Sequence, residues 1–272
     1  MTVNTDLLRA KLKACVYQGG EMILSRFGGA FRIDEKEGIN NLVTEVDQAI
    51  ERTVTEMILA DFPDHGILGE EYRSERPEGV EYLWILDPID GTVNFAHGIP
   101  LCCISLALLH QDELILGAVY NPMMDEFFFA EKGKGAFLND LPIRVSGKSD
   151  FAHACLVTGF PYSWQASDGP HPVDVFSHFV KQGLPIRRLG SAALDLCWVA
   201  CGRFDGFWEY NLSPWDIAAG YLLVAEAGGT VSDFSGKPAS VFHRQTLATN
   251  GRIHIEMQQQ IQGAFNDYSF QK

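Results

Sequence analysis

The 272-residue chain has no apolar run long enough to cross a bilayer. Its longest, Ile99 to Leu109, is broken by Pro100 and Ser105 and falls well short of the ~18 residues a spanning helix needs. Met1 to Ala10 lacks the apolar core of a secretory signal, so the expectation is a cytoplasmic protein with no membrane contact. Cysteine is sparse, with 6 residues and no C-x-x-C pair, which excludes a small disulfide scaffold. The bland reading of all six is a reduced, buried thiol. Adjacent Cys102 and Cys103 would point to opposite faces of a strand, and Cys197 and Cys201 stand one helical turn apart. The 8 His show no H-E-x-x-H or other paired spacing, which argues against zinc. No G-x-S-x-G elbow or catalytic Cys pattern is present. Neither G-x-G-x-x-G nor G-x-x-x-x-G-K-[ST] follows a strand, so an ordinary nucleotide-binding module is disfavoured. Positive charge is also short: 21 Lys and Arg face 35 Asp and Glu, a net charge of −14. Such a surface repels a polynucleotide backbone. It still admits a small phosphorylated ligand if divalent cations invert the local sign.

With 46% hydrophobic and 21% charged residues, the chain can build a sizeable core. Helical periodicity and capping signals predict helices over Leu7–Arg26, Thr44–Asp61, Val173–Lys181, Ser191–Cys201, Trp215–Ala227 and Ile253–Phe265. Short β-rich runs predict strands at Tyr82–Leu86, Cys155–Thr158, Ile186–Leu189, Phe204–Glu209 and Leu247–Thr249. Between them, Cys102–Leu109, Leu114–Tyr120 and Glu126–Ala130 read as an antiparallel meander. Tyr162–Pro172 reads as a loop. The composition changes near 140–155, which predicts an α+β fold of two tightly joined halves, 1–145 and 146–272, that could count as one domain.

The chemistry concentrates in acidic motifs. Asp87-Pro88-Ile89-Asp90-Gly91-Thr92 closes an apolar strand. Pro88 fixes a dihedral and removes a donor, Gly91 permits a tight turn, and the two carboxylates and the Ile89 carbonyl can converge on one hard cation such as Mg²⁺. The plainer reading is a turn with solvated acids. Gly69-Glu70-Glu71 sits at another strand end, where a surface charge is the simpler account. Thr44-Glu45-Val46-Asp47 opens a helix and reads equally as a capping box. Pro214-Trp215-Asp216 opens another, where capping and the helix dipole would explain the acid. Together, the four favour a polynuclear metal site. Two ions about 3.5–4 Å apart neutralise a phosphate monoester, acidify water and stabilise the leaving alkoxide, with no Ser, Cys or His nucleophile required.

These segments resemble the inositol monophosphatase family. Asn41–Asp47, Gly69–Glu71, Trp84–Phe95 and Trp215–Gly220 are similar to its motifs, as are Asn121-Pro122, Glu131–Phe137, Gly190–Ala193 and Glu226–Gly229. The likeness runs from about residue 36 to 230 in the family's order. It implies a layered α/β/α/β/α sandwich, Mg²⁺-dependent and Li⁺-sensitive hydrolysis of small phosphate monoesters, and a homodimer. It implies that Glu70, Asp87 and the Ile89 carbonyl hold a first Mg²⁺, that Asp87, Asp90 and Asp216 hold a second, and that Glu70 reaches a third through water. Thr92 and Asp47 would activate water, with Glu70 the other candidate base. The Gly91 and Thr92 N–H groups would face the phosphate. Glu209 and the Ala192 backbone would bind substrate hydroxyls, and Lys36 would lie on a mobile loop. Asn41 stands where the family often has Asp, and Tyr162–Pro172 has no counterpart. Inositol monophosphate is the first expectation for substrate. Fructose 1,6-bisphosphate, histidinol phosphate and 3′-phosphoadenosine 5′-phosphate are alternatives. A rival, a non-catalytic metal-binding interaction protein, predicts a lost ligand, and none is missing.

Overall fold

The computed structural model describes residues 5–35, 42–161 and 171–269. In chain order its first elements are α1 (Thr5–Arg26), β1 (Ile33–Glu35), β2 (Leu42–Thr44), α2 (Glu45–Asp61), β3 (Gly66–Gly69), β4 (Tyr82–Asp90) and α3 (Thr92–Ala96). Next come β5 (Cys103–His110), β6 (Glu113–Asn121), β7 (Glu126–Glu131), β8 (Gly135–Leu138), β9 (Leu141–Pro142) and β10 (Leu156–Thr158). The chain ends with α4 (Pro172–Lys181), β11 (Ile186–Arg187), α5 (Ala192–Ala200), β12 (Gly206–Tyr210), α6 (Pro214–Glu226), β13 (Thr230–Ser232), β14 (Gln245–Thr249) and α7 (His254–Ser269).

Two sheets organise these elements. The first is seven-stranded, in sequential order from β3 to β9. Only its β3–β4 pair is parallel, and the expected meander fills the rest. The second runs β11-β10-β12-β14-β13, with β10 parallel to both neighbours and the other pairs antiparallel. Both sheets are covered on both faces, so their central strands read as nearly continuous apolar runs.

Period-2 alternation sorts the side chains into three packing layers. Trp84, Leu86, Ile104 and Leu106 face the outer helices α1 and α2, meeting Leu12, Val16, Ile50 and Val54. Their neighbours Ile85 and Ala107 face inward, where Ala193, Leu196, Ala219 and Leu223 of α5 and α6 fill the space between the sheets, with Val157, Phe207 and Ala248 on the far side. Leu156, Trp208 and Leu247 face outward again, onto Val175, Phe179, Met257 and Ile261 of α4 and α7. The order is therefore α/β/α/β/α, as expected. Cys102 and Cys103 do fall on opposite sides of the first sheet. All six cysteines are free thiols, and Cys155 and Cys201 are only half-buried, not fully buried as expected.

Several elements depart from the sequence reading. β4 does not stop at Leu86 but continues to Asp90, with Asp87 opposite Ser105 and Asp90 opposite Cys103. That leaves one extra residue on β4, a bulge at the position where Pro88 has no N–H to give to β5. The strand at Ile186 is two residues long rather than four. Ser191 is the N-cap of α5 rather than its first residue; its hydroxyl accepts from the Leu194 N–H. β1, β2, α3, β8, β9 and β13 are too short for a periodic signal. Lys36, Asn41 and most of the Tyr162–Pro172 loop lie outside the described residues.

Candidate active site

A cleft of about 410 Å³ opens where the end of β4 meets the N-terminal ends of α5 and α6 and the end of β12. One carboxylate oxygen each from Asp87, Asp90 and Asp216 lies within 4.8 Å of the others. Asp87 and Asp90 come from the bulged end of β4, and Asp216 from the first turn of α6. Asp90 Oδ2 accepts the Ser191 hydroxyl at 2.7 Å and the Ala193 N–H at 2.6 Å. Asp216 Oδ2 accepts the Ser213 N–H at 2.6 Å. Protein donors therefore fix both carboxylates at the start of a helix. Among the described residues, buried Asp87 Oδ1 has no hydrogen-bond partner. Glu70, half-buried, lines the same cleft.

The electrostatics are strained. Burial raises the Asp87 carboxyl well above the ordinary range, and the charges of Glu70, Asp90 and Asp216 push it further. Asp216 rises for the same reasons, burial first, then Asp90 and Glu70. Burial lifts Asp90 to about 6, against the opposing pull of its bonds from Ser191 and Ala193. Carboxylates this close cannot all stay ionised without a counter-charge. An unpartnered buried oxygen inside an all-oxygen donor set suits a hard divalent cation such as Mg²⁺.

Beside this cluster, the Thr92 hydroxyl is 3.2 Å from Asp47 Oδ1 and 3.0 Å from the Ile89 carbonyl, and it donates to either. Asp47 Oδ2 accepts the Thr44 N–H at 2.9 Å and the Thr44 hydroxyl at 2.5 Å. The capping box and the link to Thr92 are thus both real, since one carboxylate has two oxygens. Gly91 sits at φ 90°, a conformation glycine adopts without steric cost.

Glu209, at the end of β12, is 7% exposed and points into the cleft. Its carboxylate lies over Gly159, where a Cβ would come within 2.2 Å of Oε1, so that position has no room for a side chain. Burial raises it to about 8, with Arg188 pulling it down and Asp90 pushing it up. Ala192, the first residue of α5, also lines the cleft.

The chain as a whole is similar to known proteins. A family model described as the inositol monophosphatase family matches residues 4–268. The chain belongs to the inositol monophosphatase family. An inositol-1-monophosphatase of Synechocystis sp. is 43% identical, covering 90% of this chain and 85% of that one. A Nus factor SuhB of Pseudomonas aeruginosa is 45% identical over 75% of this chain and 76% of its own. The solved structure of an IMPase from Thermotoga maritima superposes with a TM-score of 0.85 at 37% identity, covering 96% of this chain and 99% of that one. Membership makes the protein a phosphatase.

Three residues of this phosphatase's cleft and its supports escaped the sequence reading. Glu51, on α2 one turn beyond Asp47, is 1% exposed. It accepts the Glu71 N–H at 2.7 Å and the Tyr72 N–H at 2.8 Å, holding the chain just after Glu70. A signal existed: Asp47, Glu51 and Thr55 recur every fourth residue and are all buried, a polar stripe beside the apolar one. Asp195 is 1% exposed, and its Oδ1 has no hydrogen-bond partner among the described residues. Burial raises its carboxyl well above the usual range, helped by the charge of Glu209. In sequence it is an ordinary first-turn helix acid. Arg188 lines the cleft and carried no motif.

Proposed function

We propose that this protein hydrolyses an inositol monophosphate to inositol and phosphate with Mg²⁺ and water. The carrying observation is the convergence of Asp87, Asp90 and Asp216 around the unpartnered Asp87 Oδ1. Glu70, Asp87 and the Ile89 carbonyl would hold one ion, and Asp87, Asp90 and Asp216 another, with a third more weakly held through Glu70. Bound Mg²⁺ supplies Lewis acidity, offsetting phosphate charge, acidifying water and stabilising the leaving oxygen.

The chain's own groups supply the rest. Thr92 is a proton relay: its hydroxyl takes a proton from water in the cleft as it passes its own to Asp47 Oδ1. Thr44 keeps Asp47 aimed at it through the bonds to Oδ2. The Gly91 and Thr92 N–H groups face the phosphate. Glu209 accepts from ring hydroxyls, beside the Ala192 backbone. Asp90 is held by Ser191 and Ala193, so a substrate contacting Ala192 meets a backbone already locked to the metal ligands. We further propose lithium sensitivity, a homodimer and a cytoplasmic setting without direct nucleic-acid binding. Among the described residues no helix is long and apolar enough to cross a membrane. Relatives named Nus factor keep the non-catalytic interaction reading in view. The intact ligand set favours catalysis.

The test is phosphate release from inositol 1-phosphate with and without Mg²⁺, in the wild type and Asp90→Asn. Activity that requires Mg²⁺ and falls by orders of magnitude in the variant is expected. An unchanged rate in Asp90→Asn would refute the metal assignment. A panel over fructose 1,6-bisphosphate, histidinol phosphate and 3′-phosphoadenosine 5′-phosphate ranks the substrates.

A further inference from the structure

The turn after Asp90 is braced by a side chain that is not among the described residues lining the cleft. Asn94, the third residue of α3, is 7% exposed. Its Nδ2 donates to the Leu101 carbonyl at 2.7 Å and to the Leu189 carbonyl at 2.8 Å. Both amide protons are thereby committed to separate segments. One segment enters β5, seven residues on, and the other leads into α5, 95 residues on. The same two segments enclose Gly91. A Cβ there would come within 2.9 Å of the Leu101 carbonyl oxygen and 3.1 Å of the Gly190 carbonyl oxygen. Gly190 in turn packs on the Asn94 amide, where a Cβ would lie 3.1 Å from Nδ2. The next residue, Ser191, holds Asp90 at 2.7 Å, together with Ala193 at 2.6 Å. One amide therefore sets the spacing between the Gly91 turn and the start of α5. A second buried amide backs it. Asn121 is 0% exposed; its Nδ2 donates to the Pro100 carbonyl at 3.0 Å, and its Oδ1 accepts the Met123 and Met124 N–H groups at 3.0 and 3.2 Å. Asparagines thus pin two consecutive carbonyls on the segment that enters β5.

We propose that Asn94 is a positioning residue for the phosphoryl group. It holds the Gly91 and Thr92 N–H groups at a fixed distance from the end of α5 that carries Ala192. The assignment rests on the phosphatase reading above, in which those N–H groups face the phosphate. Asn94 touches no reacting atom and acts through the backbone it bridges. The chemical requirement is narrow: two converging carbonyls need two N–H donors on one neutral, short side chain, whereas ionised aspartate has no donor and serine has one. A misplacement of about 1 Å caused from outside the reacting centre can slow an enzyme about a hundredfold. The fault would lie at the phosphoryl group, so it would be felt whatever alcohol the phosphate is attached to.

Steady-state phosphate release in saturating Mg²⁺ from inositol 1-phosphate and from p-nitrophenyl phosphate tests this in the wild type and Asn94→Ala. Inhibition by inorganic phosphate and terbium luminescence titration are measured on the same preparations. The expected result is a fall of about ten- to hundredfold in kcat, equal on the two substrates, with weaker inhibition by phosphate. Terbium affinity should stay at the wild-type level, since Asp90 keeps its own bonds to Ser191 and Ala193. Asn94→Ser, which keeps one neutral donor, should lose less in the same parameters, and it takes the place of Asn94→Ala if that variant does not fold. A folded variant with lowered Tm but wild-type kcat and phosphate inhibition would show that Asn94 only stabilises, and would overturn the inference while leaving the phosphatase reading intact. So would a loss of terbium affinity that matches the loss in kcat, which would place its action on the cations. A wild type that hydrolyses neither ester sinks the phosphatase reading, and this assignment with it.

Discussion

Glu51 is the side chain whose removal should disturb the cleft most without deleting anything that lines it. Its carboxylate is 1% exposed and accepts two backbone N–H groups, from Glu71 at 2.7 Å and Tyr72 at 2.8 Å. Hydrogen bonds to a charged acceptor contribute about 1.5–3 kcal/mol each. Glu51→Gln keeps the shape and one acceptor but turns an amide N–H₂ toward a backbone donor. The expected loss is about one such bond, roughly 2–3 kcal/mol. For a chain of this size, 1 kcal/mol moves the midpoint by about 2–4 °C, so Tm should fall roughly 4–12 °C. The segment released is the one that follows Glu70, so cation binding should weaken as well. A tenfold rise in the Mg²⁺ concentration for half-maximal activity corresponds to about 1.4 kcal/mol and is the expected scale. Thermal unfolding in EDTA reads the first effect. Terbium luminescence titration of the same protein reads the second without relying on turnover. Glu51→Asp, which keeps the charge but reaches less far, should fall between the wild type and Glu51→Gln. A variant with lowered Tm but wild-type cation affinity would refute the link between Glu51 and Glu70. Wild-type values for both would refute the energetic argument itself.

The raised carboxyls set a pH dependence whose sign can be worked out. Asp90 goes from 3.8 to about 6, and Glu209 from 4.5 to about 8. Both are held up by burial, so the metal-free fold is favoured while they are protonated and loses stability as pH rises from the ordinary values, 3.8 and 4.5, to the raised ones. Asp90 has made its loss by about pH 6 and Glu209 by about pH 8, so Tm in EDTA should drop from about pH 4 to pH 8. Saturating Mg²⁺ should restore it, with about 2.7 kcal/mol gained at a hundredfold excess over Kd. A Tm that climbs over that range in EDTA would contradict this account. Glu209→Gln should reduce discrimination among sugar phosphates more than it slows p-nitrophenyl phosphate turnover; equal losses on both would argue against hydroxyl binding. Gly159→Ala, whose methyl would sit 2.2 Å from Glu209 Oε1, should raise KM for polyol phosphates at least tenfold and leave the Mg²⁺ requirement unchanged. A matching shift in the Mg²⁺ requirement would show that Glu209 and the metal end are not separable.

The parts legible in advance were those in which chemistry is packed into adjacent residues. Asp87 to Thr92 carries two carboxylates, a proline and a glycine in one six-residue stretch, and no ordinary turn needs all of them. Thr44 and Asp47 were ambiguous for a physical reason, because the carboxylate caps its helix with one oxygen and reaches Thr92 with the other. Glu51, Arg188 and Asp195 were illegible as site residues because their roles arise from contacts between elements far apart in sequence. Long helices and the meander announced themselves by period. The two-residue strand β9 and the five-residue α3 did not, since so few residues cannot show one. The bulge that extends β4 was hidden because Pro88 usually marks an end, whereas here the strand resumes beyond it.

The clasp on Asp90 has a consequence for how the molecule comes apart. Asp90 ends a strand of the seven-stranded sheet, its donors Ser191 and Ala193 open one central helix, and Asp216 opens the other. No half of the chain can peel away while the cage stays whole. A cation held there would be felt by the entire molecule at once, so the loaded protein is expected to melt in a single cooperative step, and a partially unfolded species to have released its cation.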